Sequence, residues 1–168
     1  MAAIDTALND NRTAVHDLLV AGERTGAKFT SPWAPGKWSP SQLIEHVARV
    51  LEEGAHVVAG APSKFPTLPA FLRPVLRGLF FNRVLKKGAF IKARTNRPFD
   101  PETGPPTGAE ARVRLEAALA EFDRACRAKA ATGAKVASTS FGQVTVEDYA
   151  RFQALHTRHH RNQLSERL

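Results

Sequence analysis

The feature that most constrains this chain is the composition of one helical face near its end. At 100° per residue, Tyr149, Gln153, His156, His160 and Gln163 share the centre of that face. Val146, Phe152 and Leu164 flank it, and Arg151, Arg158 and Arg161 lie away from it. The inward stripe of an amphipathic helix is ordinarily leucine, and here it is imidazole and amide. Each such group needs a partner or stays desolvated at a cost of roughly 1–3 kcal/mol, so whatever packs on this face must answer it chemically. His156 and His160 stand about 40° apart, one turn above the other, so two imidazole nitrogens can meet at one point. A metal ion uses that spacing, with at least one further ligand from elsewhere. His159 falls on the flank, toward Phe152 and Leu155, as a packing or supporting residue.

A third nitrogen is available upstream in Trp38-Ser39-Pro40-Ser41-Gln42-Leu43-Ile44-Glu45-His46. Ser39 as N-cap, Pro40 at the first helical position and Gln42 three residues after the cap form a capping box that starts a helix. Leu43, Val47, Val50, Leu51, Gly54, Val57 and Val58 make its apolar face, to about Ala59. His46 sits at the edge of that face, while His56 points outward with Glu45, Arg49 and Glu52. Taken alone His46 reads as a satisfied core histidine. Its position allows it to reach an interior cavity beside the stacked pair but does not require it.

Two further stretches carry the 3.6 period. Ile4, Leu8, Val15, Leu18 and Leu19, with Asn11 among them, predict a helix to about Gly22, with His16 off the stripe at the surface. Thr107 and Glu110 form a second capping box before Leu115, Ala118, Leu119, Phe122, Ala125 and Cys126, which predict a helix to about Ala131. Cys126 lies on the apolar face and reads as a buried thiol rather than a nucleophile. Residues 134–143 read as a short linker, and Thr145 caps the last helix with Glu147 and Asp148 in its first turn. The fold class is all-α, within one domain over residues 1–168.

Between the second and third helices, residues 60–106 break the pattern. Six of the ten phenylalanines and eight of the eleven prolines fall there, too long a stretch to be structureless in a compact domain. One or two short helices around Ala70–Lys87 are expected, then an extended connection from Asn96 to Pro106. The chain's formal net charge is +8, and it is local. No acidic residue lies between Glu53 and Asp100, whereas Lys64, Arg73, Arg77, Arg83, Lys86, Lys87, Lys92, Arg94 and Arg97 do. The remaining 15 basic residues balance 16 acidic ones elsewhere, so the charge belongs to this insert alone. Three uses are open to it: a solvated lid, a lid whose Arg73, Arg77 and Arg83 attract an anionic substrate, or an anionic surface such as nucleic acid. The last is disfavoured because no base-stacking motif accompanies the charge.

A single cysteine forms no internal bridge, the start of the chain has no secretory pattern, and no run approaches the roughly 20 apolar residues of a membrane span. A reducing cytoplasm and no membrane span are the expectation.

The W-S-x-x-x-x-x-x-H start of the second helix, the H-x-x-H-H-R-x-Q-L end of the fourth and the long excursion between the second and third resemble the DinB/YfiT-like metalloenzyme superfamily. The resemblance covers about Ile4 to Leu168 outside the insert. It implies a four-helix bundle in which His46, His156 and His160 hold a divalent metal, zinc or nickel, and it implies a homodimer. The segment Ser140-Phe141-Gly142-Gln143-Val144-Thr145 is similar to the F-G-x-L-T lead-in of an uncharacterised branch, although Ser138-Thr139 stand where a His-Pro often precedes the phenylalanine.

Three neutral imidazoles leave a divalent ion its full charge and an open position, the pattern of a catalytic site. Such an ion lowers the pKa of water toward about 7, or binds a thiol as thiolate. Relatives of known activity include thiol-dependent transferases and isomerases. The functional expectation is therefore activation of water or a low-molecular-weight thiol cosubstrate for attack on a small-molecule substrate, as a metal-dependent thiol transferase or hydrolase. Gln153, Gln163 and Tyr149 are the nearest polar groups to orient it, and no carboxylate offers itself as a general base. The alternative is a metal-binding stress-response bundle without turnover.

Overall fold

The computed structural model describes residues 2–90 and 95–165. Lys92 and Arg94 of the basic segment lie outside the described residues. The chain is mostly helical, and its elements follow the caps and periods of the sequence. Helix α1 spans Ala2–Glu23, and a 3₁₀ turn (Gly26–Lys28) follows it. Helix α2 (Pro40–Ala59) begins on the Ser39 capping box and stops where Gly60 takes φ 79, a left-handed conformation that glycine reaches without strain.

A single helical run then occupies the middle of segment 60–106. It comprises α3 (Arg73–Leu76), a π-helical turn (Arg77–Phe81) and α4 (Asn82–Lys87). The expected short helices are present as one continuous rod. The connection after it is not wholly extended, because Arg97–Phe99 closes a one-turn 3₁₀ helix. Helix α5 (Gly108–Ala131) starts at Thr107, whose hydroxyl oxygen accepts from Glu110 N. The Glu110 carboxylate accepts from that hydroxyl, so the reciprocal half of the capping box is a side-chain contact.

Residues 134–143 are more than a linker. Strands β1 (Val136–Ser138) and β2 (Gly142–Val144) pair antiparallel, with Val136 opposite Val144 and Ser138 opposite Gly142. Ser138 Oγ accepts from the amides of Ser140 and Phe141 and closes the turn. Helix α6 (Val146–Ser165) follows at once, with Asp148 N donating to Thr145 Oγ1 at 3.1 Å.

Helix α1 packs chiefly on α6 and α2 on α5, with α1 against α5 and α2 against α6 completing the set. Leu8, Val15 and Leu18 of α1, Val47, Leu51 and Val58 of α2, and Leu115 and Phe122 of α5 are wholly buried between them. Asn11 ties α1 to α6, donating through Nδ2 to the carbonyls of Ala7 (2.9 Å) and Ala150 (2.8 Å). On the outer seam Arg114 of α5 reaches Glu45 and Glu52 of α2, and Arg12 of α1 pairs with Asp123 of α5.

The helical rod and the residues before it are fastened to the hairpin. Leu68 N donates to Thr139 O (3.1 Å), Ser140 Oγ to Pro66 O (2.7 Å) and Arg77 Nη1 to Gln143 O (2.8 Å). Phe81 is buried and stacks on Phe152 of α6, whereas Phe71, Val75 and Leu79 face outward. Among the described residues no helix is long and apolar enough to cross a membrane.

Candidate metal centre

The capping box that starts α2 also fixes one side of the site. Gln42 accepts from Ser39 N through Oε1, and through Nε2 it donates to the carbonyls of Pro101 and Glu102. That holds the chain after Phe99 against the start of α2. One turn along α2, His46 donates from Nδ1 to Phe99 O at 2.8 Å. Its proton is thereby placed on Nδ1, and its Nε2 lone pair faces inward.

From α6, His160 makes the matching arrangement, with Nδ1 3.0 Å from Gln163 Oε1. An amide oxygen only accepts, so His160 too carries its proton on Nδ1 and a lone pair on Nε2. Between these two stands His156. Its Nε2 lies 3.3 Å from His46 Nε2 and 3.1 Å from His160 Nε2, and its own Nδ1 is buried without a hydrogen-bond partner. The ligand atoms of the three residues all lie within 4.8 Å of one another.

This donor set fits a divalent ion. Two inward lone pairs face a third imidazole nitrogen, and at most one proton on His156 Nε2 can lie among the three. A tetrahedral ion with bonds of about 2.0–2.1 Å requires its nitrogen ligands roughly 3.3 Å apart, and the two separations, 3.3 and 3.1 Å, lie at or just below that value. Burial disfavours protonation of each ring. His46, 4% exposed, is lowered from its ordinary pKa by desolvation, against the opposing hydrogen bond to Phe99 and the charge of Asp100. Burial lowers His156 further, and brings His160 to about 3 with help from the neighbouring imidazoles. All three are neutral at pH 7, the state in which histidine binds metal.

The sequence profile of the DinB superfamily matches residues 3–164. The chain belongs to the DinB superfamily. No curated protein and no solved structure matches it. In this DinB chain the three histidines that the helical periods bring together form a buried cluster compatible with a metal site.

The cluster opens onto a cavity of about 650 Å³ lined by residues of α2, α6, the hairpin and segment 60–106. Tyr149 and Gln153 are on its wall, as the helical wheel placed them. Burial raises the Tyr149 hydroxyl well above its ordinary pKa, which keeps it neutral. Gln153 keeps a buried Oε1 without a hydrogen bond. Gln163 joins two histidines: it accepts from His160 and its Nε2 sits 3.0 Å from His159 Nε2. His159 lies half-buried on the cavity wall, 5.8 Å from the Phe90 ring.

The arginines of the insert are elsewhere. Arg73 donates to Leu68 O (2.8 Å), Arg77 to Gln143 O, and Arg83 is exposed. None is on the cavity wall, where the insert contributes Phe65, Leu68, Leu76, Phe80 and Phe90 instead. Cys126 is buried, its thiol pushed up to about 12 by desolvation, which suits packing.

Three contributors escaped sequence reasoning. The Phe99 carbonyl is a backbone group with no side-chain signal. Trp38, whose ring lies 4.8 Å from that of His46 and whose Nε1 donates to Asp100 Oδ1, stood in the motif without a role. Phe90, 4.9 Å from His156, came from a segment with no periodicity to place it.

Proposed function

We propose that this chain is a metal-dependent enzyme whose ion, zinc or nickel, is held by His46, His156 and His160 in a single four-helix-bundle domain with segment 60–106 as insert. The observation that carries the reading is the convergence of three buried imidazole nitrogens, two with their tautomer set by outer hydrogen bonds. Such an ion supplies Lewis acidity, lowering the pKa of a water or a low-molecular-weight thiol until it is a nucleophile at neutral pH.

The protein's own share is positional. Phe99 O and Gln163 Oε1 hold two rings in the ligating tautomer, the arrangement that ordinarily supports metal-bound histidines. The aromatic part of the wall lowers the local dielectric and strengthens electrostatics beside the ion. Gln153 and Tyr149 offer amide and hydroxyl groups to orient a substrate. Asp100 lies close enough to favour a charged His46, but its Oδ1 is occupied by Trp38, so no carboxylate is assigned as general base. The product of this arrangement is transfer to, or hydrolysis of, a small electrophile.

The test is turnover by zinc- or nickel-loaded protein of 1-chloro-2,4-dinitrobenzene with cysteine or glutathione, and of 4-nitrophenyl acetate with water. Metal-dependent turnover lost in His156→Ala supports the enzyme. Stoichiometric metal with no turnover of either substrate class leaves the stress-response bundle in its place.

A further inference from the structure

We infer that the cavity in front of the histidines is built for the uncharged, aromatic or hydrocarbon body of a small molecule, which makes apolar-bodied compounds the substrate class. This rests on the reading of the triad as the reacting centre, but its own evidence is the wall.

The cavity is a half-open cleft of about 650 Å³, within the roughly 300–1,000 Å³ of small-molecule sites. Its wall is a sequence of touching rings that begins at the triad. Trp38 lies 4.8 Å from His46, and Phe90 4.9 Å from His156. Phe152 stands 5.2 Å from Phe90, Phe80 5.5 Å from Phe90, and Phe141 5.5 Å from Phe152. The same rings that fasten the insert to α6 leave an open face on the cavity in front of the histidines.

Charge is nearly absent from the described lining. Among the described residues no carboxylate lines it, and Lys37 is the lone Lys or Arg side chain there. An ionised body would surrender its hydration to a wall that is mostly rings, where neutral groups such as Ser138, Ser140 and Asn96 replace it only in part. A flat apolar body instead gains both area burial and ring contacts. The insert that supplies Phe80 and Phe90 thus acts as a wall of the binding site, and its described cations, Arg73, Arg77 and Arg83 among them, are not on that wall.

The test uses two probes that share their rings and differ by one charge: N-phenyl-1-naphthylamine and 8-anilino-1-naphthalenesulfonate. Both are titrated by fluorescence into metal-free and zinc-loaded wild type, with zinc uptake measured on the same samples. The uncharged probe is expected to saturate at one site and to bind at least about tenfold more tightly than the sulfonate. Phe90→Asp is expected to weaken it by at least about tenfold, and Phe90→Leu by no more than about threefold. Leu68→Trp, which fills the cavity without adding charge, provides a second route to the same loss should Phe90→Asp fail to fold. No saturable binding, equal or tighter binding of the sulfonate, or a Leu68→Trp variant that binds like wild type overturns the inference. Selective binding of the uncharged probe by a protein that takes up no zinc upholds the inference and refutes the metal reading alone.

Discussion

The Nε2 atoms of His46 and His156 stand 3.3 Å apart although 110 residues separate them in the chain. Two neutral imidazoles gain little from that approach unless something lies between them to share. The outer nitrogen of His46 is committed to a backbone carbonyl, so the ring cannot turn to relieve the contact.

Gln163 is the acceptor that fixes the tautomer of His160. Replacing it by leucine removes that acceptor without emptying the site of volume. Outer partners of metal-bound histidine are worth about 10–100-fold in affinity, so Gln163→Leu is expected to weaken zinc binding by that factor in competition with a chelating dye. Stoichiometry at saturating zinc should stay unchanged.

The buried histidines impose a pH dependence on the metal-free fold. The unfolded chain takes up protons at about 6.5, whereas burial lowers the folded values, that of His160 to about 3. Stability is therefore fully present above about 6.5 and is lost as the pH falls from there toward the folded values, by at most about 1.4 kcal/mol per pH unit for each ring. Urea midpoints measured between pH 7.5 and 4.5 should decline with acid, and less steeply in His160→Ala.

Arg114 is the polar link between α5 and α2, bonding Glu45 at 3.1 Å and Glu52 at 2.5 Å. Its side chain is partly covered, and it neutralises two carboxylates at once. Arg114→Ala is expected to cost about 1 kcal/mol, the upper part of the range for such pairs. A double-mutant cycle with Glu52→Gln should show coupling that shrinks with added salt.

Gly104 approaches the backbone of α2 so closely that a Cβ there would lie 2.4 Å from the Ser41 carbonyl oxygen. Backbone cannot swing aside as a side chain does. Gly104→Ala is expected to destabilise by about 1–3 kcal/mol and to loosen the hydrogen bond from Ser41 Oγ to Pro105 O, visible as a lower melting temperature.

Much of this was legible in the sequence because helices announce themselves locally. Ser39-Pro40-Gln42, Thr107 and Thr145 start helices where their caps say they should, and the 3.6 period placed Gln153, His156 and His160 on a buried face. That His46 would meet the pair was legible only as an alternative to a core histidine, since an edge position on α2 does not say what packs there. The hairpin was hidden because three-residue strands give alternation too few positions to show. The insert was legible in composition but not in direction. Its phenylalanines and cations interleave in sequence, and only packing on α6 and the hairpin turned Phe80, Phe81 and Phe90 inward, left Phe71 outside and set Arg77 on Gln143 O.

The central claim is that the three imidazoles trap one ion. The direct measurement is metal content by elemental analysis of protein stripped with chelator, reloaded with zinc or nickel and desalted, for wild type beside His46→Ala, His156→Ala and His160→Ala. The account predicts one ion per chain in wild type and well below half an ion in each variant, with all four proteins folded. Wild type that retains no ion, or variants that retain as much as wild type, would contradict it.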